Sequence, residues 1–253
     1  LRDVLLEKLG YPKKSIVNRI LAKDRIVQSG ELTQSEKDYL TSEIDRVYIL
    51  AVLNESSTNV ATYRSEQYRY EEILCLYVQL REKQKVDQLK KLFHRIFPNP
   101  VFLIFASFEG ELMMSTCTKR LNLQNDLKVI SDKVVSTGWF TFAADSEYSK
   151  LLNSLNFVKQ PLANLHELYK HMDSKLRVSK AIDVVGTYPT SGTNQEEVLQ
   201  LIERIEKLNV SIETLEKEQK KAIEFNEKME WHMKIKQNEQ EAEKEIERLR
   251  GII

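Results

Sequence analysis

The sequence predicts an α/β fold, a small mixed sheet with flanking helices, followed by a long C-terminal coiled-coil helix. Three observations carry that reading. Residues 70–80 and 101–106 are apolar runs rich in strand formers, and the second has no polar break, as a strand buried on both faces requires. Between them, Val86, Leu89, Leu92, Phe93 and Ile96 recur at the three- and four-residue spacing of an amphipathic helix. Past residue 195 the composition shifts to Glu, Lys, Gln, Ile and Leu, with no proline or glycine up to Arg250. The division that follows is an α/β core domain over 1–185, a linker over 186–194 holding Gly186, Pro189 and Gly192, and a coiled-coil helical arm over 195–253.

Residues 2–9 form a short amphipathic helix, and Gly10 ends it because glycine readily takes the left-handed cap conformation. Residues 11–20 are a basic, irregular segment. Lys13, Lys14, Arg19, Lys23 and Arg25 make the densest early cluster of positive charge, either a solvated surface or an arm that touches phosphates. Thr33-Gln34-Ser35-Glu36 fits the capping box, so a helix follows to about residue 45 and buries Leu40 and Ile44. Residues 47–53 then form a strand and 58–63 a shorter one at an edge.

The core helix spans 85–97 and stops at Pro98 and Pro100, since proline lacks an amide donor and restricts the residue before it. Glu109-Gly110 turns the chain into 112–117, which closes a hairpin with 101–106. Lys119 and Arg120 end that hairpin strand. Residues 136–142, with Trp139 and Phe140, make one more strand or a packing loop. Helices follow over 147–155 and 162–182, the second with Leu165, Leu168, Tyr169, Met172 and Leu176 at core-facing spacing.

In the arm, Val198, Leu201, Ile205, Leu208, Ile212 and Leu215 keep the 3-4 spacing of a heptad seam. Gln219, Ala222, Asn226, Met229 and Met233 continue it with polar residues at two inner positions. The register then slips to Ile235, Ala242, Ile246, Leu249 and Ile253. At about 1.5 Å per residue an unbroken helix here extends some 80 Å. Its stripe must be buried against a second copy, another subunit or the protein's own domain folded back, and intermolecular packing is the expected solution.

Composition limits the chemistry. Of the 253 residues 42% are hydrophobic and 30% charged, enough for a core and more charged than a typical domain. The formal net charge is +0, so no global field attracts nucleic acid or an anionic membrane. Cys75 and Cys117 sit in core strands and read as buried reduced thiols. No run approaches the roughly 18 apolar residues of a membrane span and no signal peptide opens the chain, so a cytoplasmic protein without a membrane partner is expected. The chain starts at Leu1 rather than Met, and a preceding piece is expected.

There is no nucleotide-binding glycine loop, and His94, His166, His171 and His232 lack metal-ligand spacing. His94 ends the core helix, where a cation suits the helix dipole. A metal-dependent nuclease needs acidic ligands and a lysine near a strand end. Asp45, Glu72 and Lys83 or Lys119 are the residues available, but Gln79-Leu80-Arg81 stands where an acidic-x-lysine pair belongs. No catalytic residue, metal ligand or cofactor is assigned from the residues.

Several short motifs occur in a fixed order: Asn18-Arg19-Ile20-x-x-Lys23, Asp45-Arg46-Val47-x-Ile49, Tyr63 before Tyr70-x-Glu72-Ile73, His94-Arg95-x-x-Pro98-x-Pro100-Val101, Ser115-x-x-x-Lys119-Arg120 and Phe225-Asn226-x-x-Met229. The series resembles a bacterial family of unknown function whose genes neighbour restriction-type helicases and DNA methyltransferases. Thr118 and His232 depart from it, where the family carries histidine and asparagine. The resemblance implies a phage-defence context and no established activity. The expected role is a non-catalytic accessory subunit of a helicase–methyltransferase assembly. It docks helicase or methyltransferase subunits, or a second copy, through Val198, Leu201, Ile205, Leu208, Ile212, Leu215, Phe225, Asn226 and Met229. The alternatives are a metal-dependent nuclease of that assembly, or an adaptor that binds nucleic acid through Lys13, Lys14, Arg19, Lys23, Lys119 and Arg120.

Overall fold

The computed structural model describes residues 1–29, 32–84, 86–122, 125–143, 146–189 and 192–253. Lys85, where the core helix is expected to begin, and residues 190 and 191 of the expected linker lie outside the described residues. The chain divides into two units, Leu1–Arg177 and Val178–Ile253.

The first unit opens with α1 (Arg2–Leu9), β1 (Ile16–Leu21), α2 (Lys23–Ser29), α3 (Gln34–Glu43), β2 (Ile44–Asn54) and α4 (Glu55–Thr58). A two-stranded ribbon, β3 (Tyr63–Arg64) with β4 (Arg69–Tyr70), leads into β5 (Glu72–Leu80), α5 (Val86–Ile96), β6 (Val101–Ala106) and β7 (Glu111–Thr116). A second ribbon pairs β8 (Lys119–Asn122) with β9 (Asn125–Ser131), and short strands β10 (Val135–Ser136) and β11 (Phe140–Thr141) return to β7. Helices α6 (Glu147–Ser154) and α7 (Leu165–Val178) complete the sequence of elements.

The main sheet runs β1-β2-β5-β6-β7-β10, with β11 also on β7. Among the described residues only β5 and β6 pair in parallel, and the crossover between them is α5. All six residues of β6 are buried, which confirms a strand covered on both faces. Val101, Leu103 and Phe105 pack with Leu89, Leu92, Phe93 and Ile96 of α5, Leu40 of α3 and Ile26 of α2. Each fully buried side chain of this kind contributes roughly 1.5–3 kcal/mol. On the opposite face the Cys75 thiol donates to the Tyr11 hydroxyl at 3.3 Å, and the Arg2 guanidinium lies 3.6 Å over the Tyr48 ring. Burial pushes the Cys75 thiol up to about 12, so it is an inert core residue.

Local signals hold well. Gly10 caps α1 at φ 59, and Thr33 and Glu36 form the reciprocal capping box of α3. Three expectations change. Residues 11–20 include strand β1, whose bulge turns on Asn18 at φ 45, with Arg2 donating to Asn18 Oδ1 at 3.1 Å. The edge strand expected over 58–63 is replaced at its start by α4, because the Asn54 side chain caps Ser57 N–H, and only Tyr63 enters the β3 ribbon. Lys119 and Arg120 begin β8 instead of ending the hairpin strand.

The second unit corrects the arm. It holds α8 (Lys180–Val185), α9 (Gln195–Lys221) and α10 (Phe225–Ile252), so the expected unbroken helix over 195–253 is two helices. They run antiparallel: Asn238 donates to Ser211 at 2.9 Å and Arg204 lies 3.8 Å from Glu245. Ala222 and Glu224 are extended, at ψ 138 and 137. Val198, Leu201, Ile202 and Ile205 are buried on α9, and Ile235, Ala242 and Leu249 on α10. The two stripes that slip out of register in sequence thus lie on helices packed against each other, which buries Val198, Leu201 and Ile205 and leaves Leu208, Ile212 and Leu215 half-buried.

Two outcomes are expected. Gly10→Ala puts a left-handed conformation on a residue with a side chain, costing roughly 1–2 kcal/mol. It also sets a Cβ 2.6 Å from Asn156 Nδ2, which donates to Lys8 O, so chemical denaturation shows a loss at or above that range. Ile205→Asp buries a charge in the hairpin and lowers helicity by circular dichroism with no change of mass in solution. An unchanged helical signal would contradict the fold-back.

Candidate functional site

Among the described residues the least ordinary chemistry gathers at the C-terminal end of α5. The last carbonyls of a helix have no partner within it. Lys119, on β8, is 3% exposed and its ammonium donates to Phe97 O just past α5, while Ser131 Oγ donates to His94 O at 3.4 Å. A cation is favourable there because the helix dipole is negative at that end. Burial drives the Lys119 pKa down to about 8. One turn earlier Lys90 is also buried, donating to Ser136 Oγ at 2.8 Å and pairing with Asp87 at 2.6 Å.

His94 lies between them. Ser115 gives its hydroxyl proton to Val135 O at 2.8 Å, so its oxygen accepts from His94 Nε2 at 3.0 Å. That fixes the neutral Nε2–H tautomer and leaves Nδ1 buried without a hydrogen-bond partner. Burial, followed by repulsion from Lys119 and Lys90, lowers the His94 pKa to about 3. The expectation that His94 serves the helix dipole as a cation is therefore corrected: Lys119 fills that place.

Two tyrosines secure the chain where β7 gives way to β8. Cys117 N–H donates to the Tyr169 hydroxyl at 3.0 Å, which donates to Val101 O at 2.7 Å. Lys119 N–H donates to the Tyr70 hydroxyl at 3.0 Å. These hydroxyls satisfy backbone groups that a continuous strand would have paired. Burial pushes the Cys117 thiol up to about 11, so it too is unreactive.

The nuclease constellation does not assemble as drafted. Asp45 adjoins the Leu80 end of β5, since Ile44 pairs with Leu80 and Arg46 with Gln79, whereas Glu72 pairs with Asn54 at the opposite end. At about 3.3 Å per residue, the strand separates the two carboxylates by roughly 25 Å. Lys83 is held by Glu109 at 2.7 Å and by Glu111, and Lys119 is buried at α5. Beside Asp45 the structure places Arg46, at 3.7 Å, and Lys23, whose ammonium donates to Ile44 O. Burial and the nearby Arg81 lower the Lys23 pKa, against the pull of Asp45. Among the described residues no group of three His, Cys, Asp or Glu is placed to hold a metal ion.

Of the six candidate phosphate contacts, four follow the β1 edge. Lys13 and Lys14 are exposed ahead of β1, Arg19 is exposed on that edge strand, and Lys23 sits past its far end. Arg120 faces Asp132 at 3.5 Å on the β8–β9 ribbon. Lys119 turns inward and leaves the outward-facing set. In the second unit Val198, Leu201 and Ile205 are buried, Leu208, Ile212 and Leu215 half-buried, and Phe225, Asn226 and Met229 exposed. No helix among the described residues is long and apolar enough to cross a membrane. The His94–Ser115–Lys119 assembly and its two tyrosines escape the sequence because 94, 115, 119 and 169 meet only through tertiary folding. The ordered motifs containing His94, Ser115, Lys119 and Tyr70 were the available signal.

Fold and site together define a mixed-sheet α/β unit joined in one chain to a helical hairpin, with a buried basic cluster in the first. A family model described as a domain of unknown function, DUF4391, matches residues 9–241, and the chain belongs to that family. No curated protein and no solved structure matches the chain.

The buried imidazole makes stability sensitive to acid. His94 has a folded pKa near 3 against 6.5 unfolded, so between those values the unfolded chain binds a proton that the native state does not. Stability from this group is complete above pH 6.5 and falls as pH drops toward 3, at up to about 1.4 kcal/mol per pH unit. His94→Gln should flatten that decline in urea denaturation across pH 4–6.5; an unchanged slope would show that the imidazole is protonated in the native state.

Proposed function

We propose that this chain is a non-catalytic accessory subunit that docks a partner through the bend of its helical hairpin. The observation that carries the reading is an uncovered apolar stripe there. Ile223 is 90% exposed, Phe225 72%, Met233 67% and Met229 44%. Phe225, Met229 and Met233 recur every four residues, one above the next on a single helix face. That face turns away from the one bearing Ile235, Ala242 and Leu249, because residues advance about 100° each. Contiguous exposed apolar side chains of this size mark interaction surfaces more often than accident.

The partner we propose is a helicase or DNA methyltransferase subunit of an anti-phage, restriction-like assembly in the cytoplasm. Support comes from the family resemblance carried by the ordered motifs, and from the lack of a converged carboxylate pair around Asp45, where Gln79 and Arg81 stand. Such a subunit contributes binding surface and leaves bond cleavage to its neighbours.

The test is co-expression with a helicase and a DNA methyltransferase subunit of such a restriction-like assembly. The wild-type chain should co-purify with one of them. Phe225→Asp, Met229→Asp and Met233→Asp together should weaken that association by at least about tenfold for each side chain that docking buries. The three sites are solvent-exposed, so the circular dichroism spectrum should not change. Undiminished association of the triple variant, or no association of the wild type, would overturn the proposal.

A further inference from the structure

The main sheet ends on one side at β1, which among the described residues pairs only with β2. An edge strand leaves one row of backbone N–H and C=O groups without a ladder partner. Here that row is held in a fixed shape. Val17 and Asn18 stand opposite the single residue Leu50, because Ile16 pairs with Ala51 and Arg19 with Ile49. Asn18, at φ 45, is tied to α1 twice: it accepts from Arg2 at 3.1 Å and donates to Asp3 at 3.4 Å. Beyond this bulge the ladder resumes without interruption over Arg19, Ile20 and Leu21.

The side chains along the edge are aliphatic and basic. Ile16 is 36% exposed and Ile20 64%, one on either side of the bulge. Lys13, Lys14 and Arg19 are exposed, and among the described residues none of the three has an acidic partner. Lys23 and Arg25 follow at the far end, and Asp24 is the only acidic residue between positions 11 and 25. Edge charges of one sign keep like strands apart. A second β1 laid along this edge would set these cations against themselves, so the occupant is not a second copy of the chain.

We propose that β1 is a strand-addition site for an acidic, extended segment of a partner protein. The backbone chemistry selects a peptide. An added strand both donates to and accepts from the open row, whereas a phosphodiester chain offers only acceptors and leaves the β1 carbonyls unmatched. Ile16 and Ile20 also gain from aliphatic side chains, which a phosphate does not supply. The acidic character follows from charge complementarity with Lys13, Lys14 and Arg19. Because the bulge is pinned to α1, the segment meets an edge already in its binding shape, and ordering costs fall on the partner alone. The surface belongs to the first unit, so it does not rest on the hairpin reading, and its test involves neither helicase nor methyltransferase.

The probe is an end-blocked peptide of about eight residues that alternates valine and glutamate, titrated into the isotopically labelled full chain at neutral pH. NMR amide shifts should concentrate at residues 16–21, and amide exchange there should slow. The same peptide N-methylated at all its backbone nitrogens keeps its charges but cannot donate to β1, and it should lose binding. Lys14→Glu together with Arg19→Glu should weaken the parent peptide by about tenfold or more. Both side chains are exposed, so the circular dichroism spectrum should not change. Absence of shifts at residues 16–21 with millimolar peptide, or undiminished binding of the methylated form, would overturn the proposal. Tighter binding of an oligothymidylate at the same amides would overturn it too, in favour of a nucleic-acid edge.

Discussion

The first unit depends on one parallel pairing, β5 against β6. A parallel pair needs a crossover, and a crossover helix must lie on a face of the sheet. Here α5 supplies it and covers Val101, Leu103 and Phe105, while the opposite face is covered around Tyr11 and α1. Because β6 is buried on both sides, α5 must end inside the protein, and the carbonyls of its last turn need donors that water cannot supply. Lys119 and Ser131 provide them. The basic seam is thus a consequence of the crossover.

Its cost is visible in the chemistry of the seam. An ammonium at Lys119 and a neutral imidazole at His94 are held where solvent cannot reach, with pKa values displaced to about 8 and about 3. Buried polar groups of this kind add little net stability, yet removing one partner leaves the other unsatisfied. The motifs around His94, Ser115 and Lys119 meet at this helix end, where Lys119 satisfies Phe97 O and Ser115 accepts from His94 Nε2.

The second unit follows a different logic, in which a stripe too long for a lone helix is covered by the chain itself. Ala222 to Glu224 contain neither proline nor glycine, so intrinsic propensity does not demand a break. The break occurs because packing the Val198–Ile205 stripe against the Ile235–Leu249 stripe outweighs the few helical hydrogen bonds lost at the bend. What the fold-back leaves outside are Ile223, Phe225, Met229 and Met233, exposed at and just after the bend.

The sequence by itself determined the parts whose causes are local. The Gly10 cap, the Thr33–Glu36 capping box, the amphipathic face of α5 and the all-buried β6 are written in residue type and spacing over a few positions. Tertiary structure decided what depends on distant partners. It made an edge strand of a basic segment because β2 offered a ladder, and folded the arm in two because its stripes match each other. It turned Lys119 inward to close α5, and set Asp45 and Glu72 at opposite ends of paired strands. Periodicity reveals that a surface must be covered or a charge satisfied; only the folded chain shows which distant residue is close enough to do it.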